Sequence, residues 1–266
     1  WWYPAAASGE PPSLCRALLK RHAAAIAIRT NTTVDRLEHD GKRWRVFDAH
    51  GQQIIESSTV IVANAFDAQR LLPQSGIPLH RMRGQITLLT PGAFPFLRHA
   101  LCGNGYLSPD TIGAHALGAT FESDDDDLLP REDSHRENLQ RLRELLPGQD
   151  ISRFDAARLD GRVGFRTMAV DRMPVVGMLP DTRQALKPGA RFRDIPRQPG
   201  LYALLALGSR GICWGPLAAE LLASQIAGEP LPLERDLVDA LDPARFAIRA
   251  QRRGVPSTIV SEPQDL

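Results

Sequence analysis

The segment from Gly200 to Pro230, GLYALLALGSRGICWGPLAAELLASQIAGEP, constrains this chain more than any other. Leu201 to Leu207 is an unbroken apolar run of the kind that makes a buried strand. Gly208-Ser209-Arg210-Gly211 then reads as a tight turn, and the residues after it have the apolar spacing of a helix. Pro216 fits the first turn of that helix, where its missing N–H is not needed, and Gly228 fits just past the end. Strand, glycine turn and helix in that order make an α/β unit. Glycines on both sides of Ser209-Arg210 let the backbone approach a ligand closely. The helix start presents unpaired N–H groups and a partial positive charge, which suits an anion or a polarised carbonyl. A lone glycine turn is weak evidence of a site. This one carries a cation at its apex, and a second arginine motif lies upstream.

That motif is GRVGFRTMAVDRMPVVG, Gly161 to Gly177. Arg166 sits in an alternating run, and Asp171, Pro174 and Gly177 mark a turn toward the next extended segment. At these residues the chain resembles the D-amino-acid oxidase/glycine oxidase superfamily of FAD enzymes. In that superfamily a G-x-R-x-x-x-x-D-x-x-P-x-x-G segment supplies an arginine for the substrate carboxylate, and a later G-S-R-G turn lies against the flavin. VIVANAFDA, RMRGQIT, LCGNGYLSPD, ALGATFESDDDD, DRMPVVGMLPD, LGSRGICWGPLAAELLASQIAGEPLP and ALDPARFAIR follow in fixed order, to about Arg253. In that order they resemble the C-terminal oxidoreductase half of a family of bifunctional enzymes that make 5-methylaminomethyl-2-thiouridine at the tRNA wobble position.

Composition agrees. With 266 residues, 43% of them hydrophobic, the chain can bury one large core or two smaller ones. A net charge of +1 makes no global case for or against nucleic acid. Three separated cysteines, Cys15, Cys102 and Cys213, point to a reducing compartment rather than a disulfide scaffold. The seven histidines show no metal-ligand spacing. No apolar run reaches membrane-spanning length and no signal peptide is visible, so a soluble cytoplasmic protein is expected, with no metal and no membrane partner.

The expected fold class is α/β: an FAD-binding domain of the glutathione-reductase-like, D-amino-acid-oxidase type with an inserted sheet-and-helix substrate domain. Ser13 reads as the N-cap of a helix ending near Ala24, with Leu14, Ala17 and Leu18 on one face. Extended segments are expected at 26–29, 32–38, 44–48 and 53–56, with turns at Asp40-Gly41 and His50-Gly51. Residues 59–63 form a continuous apolar run, as in a strand covered on both faces. Pro73, Gly76 and Pro78 mark a domain crossing. From Met82 to about Asp160 come alternating strands and an amphipathic helix from about Ser134, with Leu139, Leu142, Leu145 and Leu146 on one face and Pro147-Gly148 as its stop. The expected division is 1–77 for the first part of the FAD domain, 78–160 for the substrate domain, 161–253 for the second FAD part and 254–266 for a disordered tail. No G-x-G-x-x-G after a first strand occurs in the chain. Members of the superfamily hold the FAD pyrophosphate with such a unit. The resemblance therefore implies a truncation: the first βαβ unit and, in the bifunctional family, a methyltransferase domain that uses S-adenosylmethionine lie outside this chain.

The resemblance also assigns roles. Arg166 and Arg210 hold the substrate carboxylate, and Tyr106 in GYLSP reaches the same group. Val34 meets the adenine half of FAD through its backbone, Ala63 and Asn64 lie beside the pyrophosphate, and Gly208, Ser209, Arg210, Gly211 and Ile212 face the flavin. Ala65 stands where the family has glycine. The implied reaction is FAD-dependent removal of the carboxymethyl group from carboxymethylaminomethyl(-2-thio)uridine in tRNA, giving aminomethyluridine, which the bifunctional relatives then methylate. The alternatives are a free glycine or D-amino-acid oxidase with the same site, and a non-catalytic fragment. Asp124 to Asp127 lacks the glycine and ligand spacing of a calcium loop and reads as a solvated loop. His99 and His115 are isolated and read as surface or core-edge residues. Arg245, Arg249, Arg252 and Arg253 read as a solvated helix face, with tRNA phosphate contact as the alternative.

Overall fold

A computed structural model describes residues 1–110, 113–187 and 189–253; the expected tail, 254–266, lies outside them. In chain order the elements are α1 (Pro11–Arg21), β1 (Val34–His39), β2 (Trp44–Asp48), β3 (Gln53–Ser57), β4 (Val60–Val62), α2 (Ala68–Leu71) and β5 (Leu79–Leu89). Then come β6 (Leu101–Gly103), β7 (Gly105–Leu107), β8 (His115–Gly118), β9 (Glu122–Ser123) and α3 (Glu132–Leu145). The last part holds β10 (Asp160–Ala169), β11 (Val175–Pro180), β12 (Arg197–Leu205), α4 (Gly211–Ala227), α5 (Arg235–Leu241) and α6 (Arg245–Arg252). Contacts divide the chain into two units, 1–28 with 81–165, and 29–80 with 166–266. Residues 1–28, placed with the FAD domain on sequence grounds, thus group with the middle of the chain.

In the unit of 1–28 and 81–165 the sheet runs β10-β5-β8-β7-β6, with β9 also on β5. Leu139 and Leu142 of α3 pack with Leu89, Phe94, Leu107, Leu117 and Ile151. The helix begins at Glu132, two residues before the expected start, and its acidic first turn complements the helix dipole. Ser13 is not the cap of α1: the helix starts at Pro11 with Glu10 in the cap position, and the Ser13 hydroxyl donates to the Glu10 carboxylate. Proline at the first helical positions explains the earlier start. Three of the four aspartates are held by arginines, while Asp124 is exposed as the sequence suggests. Arg131 binds Asp125 and Asp127, Arg81 binds Asp126, and the fully buried Arg83 binds Glu122 at 2.7 Å and the Asp127 and Leu129 carbonyls. Hydrogen bonds from Arg131, then from the Asp127 N–H, hold the Asp125 carboxyl at a pKa of about 2. His115 is buried between the Ser108 carbonyl and the Phe94 N–H, and His99 packs edge-on against Trp2.

In the unit of 29–80 and 166–266, β1-β2-β3 form an antiparallel sheet and β11-β12-β4 a second one. In the second sheet β12 pairs antiparallel with β11 and parallel with β4, in the register Leu201↔Val60, Tyr202↔Ile61, Ala203↔Val62. The expected strand at 26–29 does not form. β4 is shorter than the apolar run and covered less completely than expected: it stands at the edge of its sheet, and Ile61 is 47% exposed. The core beneath it joins Val62, Leu79, Ala169, Val175, Leu179, Leu201, Ala203 and Leu205. α4 packs Ala218, Leu221 and Leu222 on Val176 and Tyr202. It starts at Gly211, so Pro216 lies in its second turn rather than its first and leaves the Ile212 carbonyl without the usual partner four residues on. Gly228 ends the helix at φ +71, as its position suggests.

Candidate functional site

The carboxyl ends of β4 and β12 lie at the same edge of their sheet, because the two strands are parallel neighbours. In α/β sheets this is the edge where ligands bind. β4 runs into Ala63 and Asn64, and β12 into Ala206 and the turn at 208–210. Beside β4 is a cleft of about 320 Å³ lined by Val34, Ala63 and Asn64 together with Thr32, Asp67 and Arg70. Three cofactor residues read from the sequence, more than 25 positions apart between Val34 and Ala63, thus share one wall. The Val34 carbonyl accepts from Arg70 Nη2 at 2.6 Å, and Arg70 Nη1 meets Asp35 Oδ1 at 2.8 Å. Thr32 and Arg70 give no signal in the sequence, since neither belongs to the motifs that carry the resemblance, and Asp67 lies in VIVANAFDA without a role read for it.

Ala65 bears on the close approach that glycine serves at this point in the family. Its φ is +56, in the left-handed region glycine enters freely. The backbone therefore keeps the glycine-like path and carries the strain of a side chain there, about 1–2 kcal/mol.

Gly208, Ser209 and Arg210 form a single 3₁₀ turn, with Gly208 at φ +58. A side chain at Gly208 would stand 3.2 Å from Met168 Cγ, so the end of β10 lies against this turn. Met168 and Arg166 are two apart on one strand and project from the same face; both are half-buried, while Thr167 and Ala169 between and beyond them are buried. The structure thus brings the Arg166 strand and the Arg210 turn together within one unit. Ser209, Arg210 and Ile212 are exposed or half-buried at the surface, and no side chain caps the α4 N-terminus. The helix continues directly out of the 3₁₀ turn, so its positive dipole end faces the same surface as Ser209 and Arg210. Tyr106 stands half-buried on β7, in the other unit.

The motif aspartate has a structural task. Asp171 accepts from Arg245 Nε at 2.8 Å and Nη2 at 3.0 Å, and also from Arg249. Burial pushes the Asp171 carboxyl up, but bonds and charge from Arg245, then Arg249 and the Met173 N–H, outweigh this and hold it at about 2. Arg245 is 2% exposed and also binds the Leu241 and Met173 carbonyls. It belongs to the fold and not to a solvated helix face.

The comparisons with known proteins decide the family. Residues 1–225 match the model described as FAD dependent oxidoreductase. The chain belongs to that family. Among curated relatives of this FAD-dependent oxidoreductase, the tRNA 5-methylaminomethyl-2-thiouridine biosynthesis bifunctional protein MnmC of Burkholderia mallei (strain SAVP1) is 46% identical over 260 residues. That alignment covers 96% of this chain and 40% of the relative, and the same protein of Burkholderia pseudomallei (strain 668) matches equally. The chain thus spans about two fifths of the length of these relatives. Among solved structures, glycine oxidase from Geobacillus kaustophilus superposes with a TM-score of 0.67 at 19% identity, covering 88% of this chain and 58% of that one. Iminodiacetate oxidase from Chelativorans sp. BNC1 gives 0.59 at 24%, covering 83% and 56%. These two likenesses establish the fold of the FAD-dependent oxidoreductase. Among its described residues no His/Cys/Asp/Glu group is arranged to hold a metal, and no helix is long and apolar enough to cross a membrane.

The residues fit FAD in part. The cleft beside β4 is lined mostly by apolar side chains, Val46, Val60 and Val62 among them, with Thr32, Asn64, Asp67 and Arg70 as polar groups, a mixture suited to a nucleoside, and the α4 start, without a side-chain cap, suits a flavin ring. The glycine-rich turn that grips a pyrophosphate is not in this sequence.

Proposed function

We propose that this chain is the oxidising part of a tRNA-modifying enzyme, acting on carboxymethylaminomethyluridine, with or without the 2-thio group, at the wobble position. The observation that carries the reading is the 46% identity to the bifunctional proteins across 96% of the chain, since the solved neighbours speak for the fold alone. Bound FAD supplies a two-electron oxidant for a C–H bond next to an amine nitrogen. The chain's own contribution is to bind and orient. Arg166 and Arg210 offer paired guanidinium donors that match a carboxylate in a planar, bidentate geometry. Holding the carboxylate fixes the methylene carbon between it and the nitrogen, and orientation of this kind supplies much of a rate enhancement. The positive dipole end of α4, at the turn of residues 208–212, stabilises negative charge there. Val34, Ala63 and Asn64 hold the adenine half of the cofactor and the chain leading from it. Water then splits the oxidised amine into aminomethyluridine and glyoxylate. In the bifunctional relatives a methyltransferase region acts next, on the amine this step releases.

The test uses the chain alone and the chain joined behind the remaining part of the Burkholderia mallei relative. With FAD, the joined protein is expected to release glyoxylate from tRNA bearing carboxymethylaminomethyluridine far faster than from free glycine, because remote RNA contacts contribute to positioning. The chain alone is expected to bind FAD more weakly than micromolar, read by flavin fluorescence. Comparable efficiency on glycine and on tRNA would replace this reading with that of a small-amine oxidase.

A further inference from the structure

The fold pairs the arginines that it needs. Arg245 and Arg249 are held by Asp171, Arg197 by Asp242 at 2.8 Å, and Arg183 by Asp181 at 2.8 Å. Near them, in the same unit, four others surround an open hollow of about 600 Å³: Arg191, Arg193, Arg235 and Arg252, with Ile248 and Asp239 also in its wall. All four are exposed. Arg191, Arg235 and Arg252 form no ion pair within 4 Å among the described residues, and Arg193 meets Asp194 only at 3.7 Å. Three separate segments deliver these cations: the short 3₁₀ turn at 192–194, the start of α5 and the end of α6. In a chain whose net charge is only +1, that is a local excess of positive charge, four arginines against Asp239 in the same wall and Asp194 beside Arg193.

Like charges brought together in the folded state repel, and exposed arginines relieve the repulsion by pairing with an anion. Guanidinium groups match phosphate oxygens with parallel donors. The hollow is wide and its cations are exposed, which fits a ligand presenting several phosphates in succession better than one small buried anion. We propose that this hollow is an RNA phosphate site, which holds backbone phosphates of the tRNA whose wobble nucleoside is oxidised; this rests on the tRNA reading above. It narrows the contact surface from the whole basic tail of α6 to Arg252 and three arginines distant from it in sequence.

The test measures binding of an unmodified tRNA transcript to the 266-residue chain by fluorescence anisotropy between about 50 and 200 mM salt. One variant carries Arg191→Gln, Arg193→Gln, Arg235→Gln and Arg252→Gln. A control of equal charge carries Arg16→Gln, Arg43→Gln, Arg143→Gln and Arg158→Gln, and the thermal midpoints of both are checked against the parent. Removing one arginine–phosphate pair should reduce the slope of log affinity against log salt by roughly 0.7–0.9, so the first variant, which removes four, is expected to lose about 3–4 from the slope and at least roughly tenfold in affinity at low salt. The control should keep the parental slope, and replacing the same four residues by Lys should restore most of it. Equal losses in the two Gln variants would mean diffuse attraction and overturn the site. Retention of pyrophosphate binding with no tRNA binding would make the hollow a small-anion site and overturn it too. An unchanged slope in the first variant, with tRNA still a substrate of the joined protein, would remove this site and leave the proposed function standing. Failure of the parent chain to bind tRNA at all would remove this site, whereas failure of the joined protein to act on tRNA would remove the proposed function.

Discussion

Gly200 offers the sharpest test of how the candidate site is built. It precedes the residues of β12 that pair with β4, at φ +72, and a Cβ added there would lie 2.1 Å from the backbone oxygen of Ser58 and 3.6 Å from Trp44 Nε1. Two costs separate cleanly. A side chain in the left-handed region costs about 1–2 kcal/mol. Overpacking against a backbone atom, which cannot swing aside, costs a further ~1–3 kcal/mol. The Trp44 N–H bond to the Pro199 carbonyl, 2.8 Å long, lies beside the clash and is worth about 1 kcal/mol. Gly200→Ala should therefore cost roughly 3–5 kcal/mol, a large part of the ~5–15 kcal/mol that holds a protein folded. At about 2–4 °C per kcal/mol the unfolding midpoint falls by ~10 °C. Gly228→Ala isolates the first cost, because Gly228 has nearly the same φ, +71, and nothing within 4 Å of the added atom. It should lose only about 1–2 kcal/mol. Thermal or urea unfolding of both variants against the parent measures the difference. If Gly200→Ala costs no more than Gly228→Ala, the close approach of β12 to the Ser58 carbonyl is not as described.

Two further outcomes concern the residues around the motif. Asp171→Asn leaves the buried Arg245 short of a counter-charge and should cost roughly 3 kcal/mol, at the low end for a broken buried pair because Asn still accepts one bond; urea unfolding measures it. The Asp171 carboxyl titrates at about 2 in the folded state against 3.8 unperturbed, so its contribution is complete above the higher value and is lost as pH falls toward the lower. The parent should therefore lose stability more steeply than Asp171→Asn between those two pH values, and parallel curves would refute the pairing. In the joined protein, Arg166→Ala should reduce catalytic efficiency by the roughly 2–5 kcal/mol typical of a desolvated charge pair losing one partner, with flavin content unchanged and only partial rescue by Lys; unaltered turnover would reassign Arg166 to the fold.

The sequence carries most of the local structure where one period dominates. β2 begins and ends where its alternation does, β3 runs one residue past its expected end, and α3 lies within two residues of its leucine face. Gly208 and Gly228 both take the positive φ their positions suggest. Errors fall where local signals compete. Ser13 is a good cap residue, but Pro11 and Pro12 start the helix ahead of it. Pro216 suggests a helix start because prolines favour first turns, while α4 begins earlier, straight out of the 3₁₀ turn. Long-range pairing is invisible in the sequence: nothing local says that Asp171 meets Arg245, 74 residues on, or that Arg83 and Arg131 gather an acidic run. The cleft walls contributed by Thr32, Asp67 and Arg70 depend on the same kind of tertiary contact.

The position of β4 governs how this polypeptide behaves among other chains. With Ile61 exposed on a sheet margin, its outward N–H and C=O groups form a template for any extended segment, and templates of this kind drive self-association when left uncovered. Direction matters to what such a segment would do. One added antiparallel would merely cap the margin. One added in the direction of β4 would finish beside Ala63 and Asn64, at the cleft. The same margin is therefore a hazard at high protein concentration and a place where a strand of the right direction would reach the cleft.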